Sequence, residues 1–250
     1  NDHRWHKGLQ MTASHLSGQN FWGGNSYITG KGYQRIPERV GSMRHDGFDG
    51  VEAAPDRATI DERLTWVAHS GEEWAREQRR IVVHSADAAA GAWAVDWSIH
   101  LTNVRGEPLH FGSPTTAGRE MAGYTGLQWR GPRDFTGGAV LSPKGPSTDA
   151  ELMGQPADDL PWIGFSAVHD DVDAESTLVF VHAPENVHGI HASHWFVRSR
   201  PIPTVAFSWA FFEEFELAPA ASFSYRYRIL IADRAWDAER IEGHLSSMSW

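Results

Sequence analysis

Apolar and polar residues alternate along two long stretches of the chain, the pattern of a strand with one buried face. In WAVDWSIHL (93–101) the odd positions are apolar, and the even positions are small or polar. FSYRYRILI (223–231) begins with the same alternation and places Arg226 and Arg228 on its polar positions. Both stretches are predicted as half-buried strands.

Shorter stretches of the same kind recur, separated by clusters of Gly, Pro, Asp and Asn. They are 59–68, 74–84, 108–113, 124–130, 161–168, 176–183 and 204–216. Two polar segments lie among them. Residues 30–57 are predicted as an excursion over a site, and residues 142–160 as a long surface loop.

One helix is predicted, over residues 235–248, with apolar residues at Trp236, Ile241 and Leu245 and with Asp233 as its cap. Many strands without a βαβ rhythm indicate an all-β fold. We therefore expect a single large antiparallel β-sandwich over residues 1–250, with one short C-terminal helix.

Composition narrows the classes of function. The chain has 250 residues, a formal net charge of −10 and three lysines, which argues against nucleic acid and anionic membranes as partners. No apolar run approaches the ~20 residues that a membrane helix needs. With no cysteine, disulfides and thiolate catalysis are excluded, and a cytoplasmic location is expected. Open sheet edges leave a homo-oligomer as an alternative to a monomer.

Tryptophan is abundant, at 12 residues. Most indoles in a β-sandwich fill the space between sheets, but a flat indole face also matches the C–H face of a sugar ring. The expected partner is therefore a small carbohydrate.

The first polar segment is DHRWHKGLQMTASHLSGQNFWGG (2–24). Its His3 and His6 could act as general acid and base, or as ligands of a divalent metal that needs a third protein ligand. The alternative is a pair of exposed loop histidines.

Two further segments carry candidate chemistry. HAPENVHGIHASHW (182–195) brings Asn186 and His194 into a predicted loop, which could equally be a solvated connection. GREMAGYTGLQWRGPR (118–133) offers Glu120 as an acid–base partner and Arg130 as a guanidinium for a carboxylate, phosphate or diol. No nucleophile elbow, P-loop or dinucleotide motif occurs, so serine acyl transfer and nucleotide cofactors are not expected.

These blocks, together with HFGSPTTAGREMAGYTGLQWRG (110–131), resemble in order those of the bacterial family labelled "methane oxygenase PmoA", a DUF6807-like domain of unknown function. The resemblance covers most of the chain. It implies a supersandwich similar to that of sugar mutarotases, upstream strands that this chain lacks, and genes beside sugar dehydrogenases. The positions that match the family's blocks are His3, His6, Gly8, Asn20, Trp22, Arg130, Asn186, Trp195 and Arg198.

The first hypothesis is an enzyme that acts on a sugar or glycoside derivative by lyase, isomerase or hydrolase chemistry. It needs no nucleotide cofactor. The expected acid–base or metal-binding residues are His3 and His6, with His194 or Glu120. The expected substrate-binding residues are Asn20, Trp22, Arg130, Asn186, Trp195 and Arg198.

Two alternatives stay open. The first is a non-catalytic carbohydrate-binding protein or scaffold that partners a sugar dehydrogenase. The second is a metal-dependent oxygenase, as the family label suggests. The membrane enzyme with that label crosses a bilayer, whereas this chain has no run of residues that could.

Overall fold

The predicted all-β sandwich is confirmed in a computed structural model, which describes residues 8–250 apart from the side chains at positions 187 and 188. Every strand pair within its sheets is antiparallel. None of the helices in the described residues is long and apolar enough to span a membrane.

The strands of the first half are β1 (Gly8–Thr12), β2 (His15–Leu16), β3 (Ser26–Ile28), β4 (Gly32–Gln34), β5 (Ser42–Ala54), β6 (Arg57–Val67), β7 (Glu73–Asp87), β8 (Ala92–Asn103) and β9 (Leu109–Gly112). Those of the second half are β10 (Gly126–Arg130), β11 (Ala139–Ser142), β12 (Gly145–Ser147), β13 (Trp162–His169), β14 (Ala174–His182), β15 (His194–Arg198), β16 (Thr204–Ser208), β17 (Phe215–Leu217) and β18 (Ser222–Ala232). The α-helices are α1 (Asp149–Leu152) and α2 (Ala238–Ser246).

Three sheets enclose the main core. The large sheet has nine strands in the order β12-β11-β13-β14-β18-β8-β7-β6-β5. A four-stranded sheet, β1-β10-β16-β15, and a three-stranded sheet, β17-β9-β2, contribute to the same apolar cluster. Tyr227 of the large sheet, Phe207 of the four-stranded sheet and Phe111 of the three-stranded sheet are buried in it. The hairpin β3-β4 stands apart from these sheets.

Alternation in the four-stranded sheet decides which side chains face away from the core. Trp195, Val197, Val205 and Phe207 belong to the main core. Because neighbouring side chains along a strand point to opposite faces, the residues between them form the other face, here called the outer face. Its members are Gln10, Gln128, Arg130, His194, Phe196, Arg198, Thr204, Ala206 and Ser208.

A second apolar cluster lies on this outer face. Phe196 and Ala206 of the sheet pack with Ala122, Tyr124 and Phe211 from the loops that cross it. Trp22 also packs there, from the segment that follows β2. The outer face is therefore covered in part by these loops.

Helix α2 covers part of the opposite side of the large sheet. Its Ile241 is buried with Leu230 of β18 and with Trp236 just before the helix. The predicted cap was wrong: Asp237 begins the helix, and its side chain accepts a hydrogen bond from the N–H of Arg240 at 2.8 Å. Asp233 instead pairs with Arg234.

Three further sequence predictions need correction. The expected excursion at 30–57 contains β5, which forms one edge of the large sheet and is mostly exposed on both faces, so no apolar alternation marks it. The stretch 204–216 divides into β16 and β17, which belong to different sheets. The expected loop 142–160 contains the short β12 and α1.

Candidate functional site

Strand register brings the polar residues of the outer face into rows. Arg130 of β10 pairs with Thr204 of β16, and Thr204 pairs with Arg198 of β15. In the neighbouring row, Gln10 of β1 pairs with Gln128 of β10. Cross-strand neighbours have Cβ atoms about 4.5–5.5 Å apart, so two arginines and two glutamines share one end of the face.

Trp22 is attached to this row by its ring nitrogen. Its Nε1 donates a hydrogen bond to Oε1 of Gln128 at 2.9 Å, and Nε2 of Gln128 donates to Oγ1 of Thr204 at 3.1 Å. The indole lies 5.2 Å from the ring of Tyr124 and is half-buried. It thus presents part of its surface beside polar groups, as a sugar-stacking ring must.

Asn20 positions Trp22, and its own amide is buried and engaged in hydrogen bonds within the protein. Its Oδ1 accepts hydrogen bonds from the N–H groups of Trp22 and Gly23 at 2.8 and 3.0 Å, and its Nδ2 donates to Oγ of Ser26 at 3.1 Å. The side chain is buried. The predicted substrate contact of Asn20 is therefore corrected to a positioning role.

Gln10 carries a buried donor without a partner. Its Nε2 makes no hydrogen bond among the described residues. Buried polar groups are nearly always hydrogen-bonded, so this amide, which lies next to Gln128 across the strand pair, is an exception.

A tyrosine pair extends the site toward the hairpin β3-β4. The hydroxyls of Tyr33 and Tyr124 are 2.5 Å apart. Nη1 of Arg119 donates to the Tyr33 hydroxyl, and its guanidinium lies 4.9 Å from the Tyr33 ring centroid. Tyr124 is buried, and burial together with the neighbouring phenol holds its pKa well above the ordinary value. Tyr124 therefore stays protonated.

Arg198 approaches the same group from β15. Its guanidinium lies 5.1 Å from the ring centroid of Phe196. Burial first, and the charge of Arg119 second, lower the pKa of Arg198 below its ordinary value. We call this set the arginine–aromatic site: Gln10, Trp22, Tyr33, Arg119, Tyr124, Gln128, Arg130 and Arg198.

Two predicted acid–base residues lie away from this row. His194 is on the outer face but pairs with Ser208, four residues or about 13 Å along the strand from Arg198. Its ring contacts Phe212 at 5.2 Å, and burial lowers its pKa. Glu120 is exposed on the loop that carries Arg119. The structure therefore does not place His194 in the arginine–aromatic site.

Two predicted substrate residues serve the fold instead. Trp195 is fully buried, its Nε1 donates to the carbonyl of Leu160 at 2.7 Å, and its ring packs 4.7 Å from that of Phe207. Asn186 is buried, and its side chain accepts from the N–H of Arg226 at 2.9 Å and donates to the Arg226 carbonyl at 2.6 Å. Neither can contact a substrate in this arrangement, which corrects both predictions.

The predicted histidine pair, His3 and His6, lies outside the described residues. Within residues 8–250, no group of three or more His, Asp and Glu side chains is placed to hold a metal ion. His191, in the segment 182–195, hydrogen-bonds through its Nδ1 to the carbonyl oxygen of Trp209 at 2.8 Å.

The sequence prediction shares Trp22, Arg130 and Arg198 with the arginine–aromatic site and did not include Gln10, Tyr33, Arg119, Tyr124 and Gln128. Arg119, Tyr124 and Gln128 stand in the segment 118–133, in which the sequence analysis names only Glu120 and Arg130 as candidates. Tyr33 carries no local signal, because only the folding of the hairpin β3-β4 brings it to Tyr124.

A concave surface lies on the side of the large sheet away from the core. This polar hollow has a volume of about 660 Å³ and includes Asp61, Gln78, Arg80, Ser98, His100, Glu185, Ser224 and Arg226. Its charges are paired: Arg80 lies 3.0 Å from Asp61, and Arg226 pairs with Glu185. The hollow is larger than a single sugar ring needs, but the protein already neutralises both of these guanidiniums.

Comparison with known families gives one result. A family model described as "Family of unknown function (DUF6807)" matches residues 1–246. No curated protein matches the chain.

Proposed function

We propose, for a chain that belongs to the DUF6807 family of unknown function, that the arginine–aromatic site acts on a sugar or glycoside derivative. The observation that carries the proposal is the gathering of Trp22, Arg130 and Arg198 at one end of a sheet face. An indole for the ring and fixed donors for hydroxyls are what carbohydrate recognition needs.

The chain's own residues divide these tasks. Trp22, held by Asn20 and Gln128, presents its indole to the C–H face of the ring. Gln10, which pairs with Gln128 across the strands, lies in the neighbouring row. Arg130, in the row with Thr204, donates to further oxygens. This arrangement binds and orients the ring.

The reaction rests on histidines beyond the described residues. His3 and His6 remain the candidates for moving a proton, or for holding a divalent metal together with a third ligand. Lyase, isomerase and hydrolase chemistry all use such groups. If the histidines act as acid and base, kcat/KM has a limb near pH 6–7, where imidazole titrates.

The test is a binding and turnover screen of sugars and glycosides by calorimetry and NMR, with Trp22→Ala as the variant. The matched control is Trp93→Ala, which removes an indole that is 41% exposed. We expect the Trp22 variant to weaken binding about fivefold or more, since stacking contributes on the order of 1 kcal/mol or more, and the control to bind as the wild type does. Equal binding by both variants would overturn the proposal.

A non-catalytic carbohydrate-binding role, including a scaffold for a sugar dehydrogenase, is the alternative. One observation favours it: the described part of the site consists of guanidinium, amide, indole and phenol groups. Binding without turnover, unchanged in His3→Ala and His6→Ala, would select it. Stoichiometric iron or copper in elemental analysis would instead favour the oxygenase. The cytoplasmic location also remains a prediction.

A further inference from the structure

Arg119 and Arg198 differ from Arg79, Arg105 and Arg226, which are also partly buried, in having no acidic partner among the described residues. Within residues 8–250, no carboxylate oxygen lies within 4.0 Å of either guanidinium, whereas Arg79 and Arg105 each have one at 3.0 Å or less. Asp149 interacts electrostatically with Arg198, but its Oδ2 accepts hydrogen bonds from Ser199 instead.

This arrangement is costly in the absence of a ligand. The two cations repel one another, and removing a guanidinium from water without a counter-charge is unfavourable. The protein nevertheless holds both in place, Arg119 against Tyr33 and Arg198 against Phe196, through cation–π contacts. In a chain with a formal net charge of −10, carboxylates for pairing are plentiful, so the lack of one beside either guanidinium in the described part of the chain points to a ligand.

We infer that Arg119 and Arg198 bind a carboxylate of the ligand, so that the sugar derivative is an acid such as a uronate or an aldonate. A planar guanidinium presents two N–H groups to a planar carboxylate. Trp22 and Gln10 lie on the same outer face for the attached ring. The sugar part of this inference rests on the proposed function, and the carboxylate part does not.

A carboxylate fits this place better than a phosphate does. Phosphate sites commonly use backbone N–H groups at a helix N-terminus or in a glycine-rich loop. Here the two guanidiniums belong to side chains on β15 and on the loop before β10. No α-helix of the described residues begins at either place. The same experiment distinguishes the two anions.

The experiment compares glucuronate and gluconate with glucose, methyl glucoside and glucose 6-phosphate by calorimetry at low salt. Acetate and inorganic phosphate serve as minimal probes. We expect the wild type to bind the sugar acids at least about tenfold more tightly than the neutral sugars, and Arg198→Gln and Arg119→Gln to remove that preference. Arg198→Lys keeps the charge but loses the fork, so an intermediate preference is expected.

The matched control is Arg80→Gln, which removes a guanidinium that Asp61 already neutralises. It should keep the full preference for the acids. Circular dichroism verifies that each variant is folded.

Each outcome separates the two claims. We call the binding of a ligand carboxylate by Arg119 and Arg198 the carboxylate clamp. If neutral and acidic sugars bind equally and the arginine variants do not change their affinities, the carboxylate clamp is wrong and the proposed function stands. If acetate binds through Arg198 but no sugar binds better than acetate, the clamp stands and the proposed function fails. Preference for glucose 6-phosphate and inorganic phosphate overturns the carboxylate assignment, and binding of no member of the panel overturns both claims.

Discussion

Arginines lie both on the outward-facing side of the large sheet and on the outer face of the four-stranded sheet. The groups that contact their guanidiniums differ between the two faces. On the large sheet, Arg80 lies against Asp61 and Arg228 against Asp96. On the four-stranded sheet, Arg198 lies against the ring of Phe196. The first face satisfies its own charges, whereas the second leaves cationic groups for an external partner.

The comparison shows that neither the size of a concavity nor its polarity locates a binding site. The polar hollow has the volume, at about 660 Å³, yet its exposed ion pairs are typical of a solvated surface. The arginine–aromatic site differs in that no carboxylate of the described residues lies within 4.0 Å of Arg119 or Arg198, whose guanidiniums lie against aromatic rings instead.

The largest effect is expected where a neutralised arginine is buried. Arg228 has a 3% exposed side chain, and its Nε and Nη2 donate to both carboxylate oxygens of Asp96 at 2.6 and 2.8 Å. Asp96→Ala leaves that guanidinium buried without its carboxylate. We expect the free energy of unfolding to fall by about 3–5 kcal/mol, measured by urea denaturation.

Asp61→Ala is the control on the same face. Its partner Arg80 has a 52% exposed side chain, and exposed pairs contribute at most about 1 kcal/mol. If both variants lost the same free energy of unfolding, burial would not decide how much these ion pairs contribute to stability.

The second effect concerns an unpaired group that no ligand can reach. His182 of β14 is buried between the rings of Phe207 and Tyr227, and its Nε2 has no hydrogen-bond partner among the described residues. Burial lowers the pKa of His182 from 6.5 to about 4. The unfolded chain therefore binds this proton more readily than the native protein does.

Linkage sets the sign of the pH dependence. The contribution of His182 to stability is fully present above pH 6.5, and the free energy of unfolding falls by about 3 kcal/mol as the pH drops from 6.5 to 4. In His182→Phe, the free energy of unfolding should lose this part of its dependence on pH. Denaturation at several pH values measures the change. An unchanged slope would mean that other groups control acid stability.

The smallest effect separates the two arginine faces directly. Arg198→Gln relieves repulsion from Arg119, so without ligand we expect the free energy of unfolding to stay constant or rise by up to about 1 kcal/mol. Arg80→Gln breaks an exposed ion pair and should lower it by less than about 1 kcal/mol. Thermal denaturation at low salt measures both. A clear loss of stability in Arg198→Gln would mean that the fold itself uses this cation.

Sequence patterning predicted the strands that have one buried face. The alternation at 93–101 and 223–231 corresponds to β8 and β18, which pair with each other in the large sheet. Patterning did not predict β5, because both faces of this edge strand are mostly exposed and its apolar residues therefore do not alternate with polar ones.

The site was predictable only in part, since burial and pairing are tertiary properties. Trp22 and Trp195 are both tryptophans in family-matching blocks, yet one borders the site and the other is fully buried. Nothing near Asn186 in the sequence shows that its amide hydrogen-bonds the backbone of Arg226, 40 residues away.

The edge strand β5 has a consequence for assembly. Its register with β6 shifts twice, between His45 and Gly47 and between Phe48 and Gly50. Such bulges twist an edge and interrupt its row of free backbone groups. A straight strand from another molecule would therefore find no continuous ladder along β5, even though Phe48 and Val51 are exposed there. The bulges protect the long edge against uncontrolled strand addition.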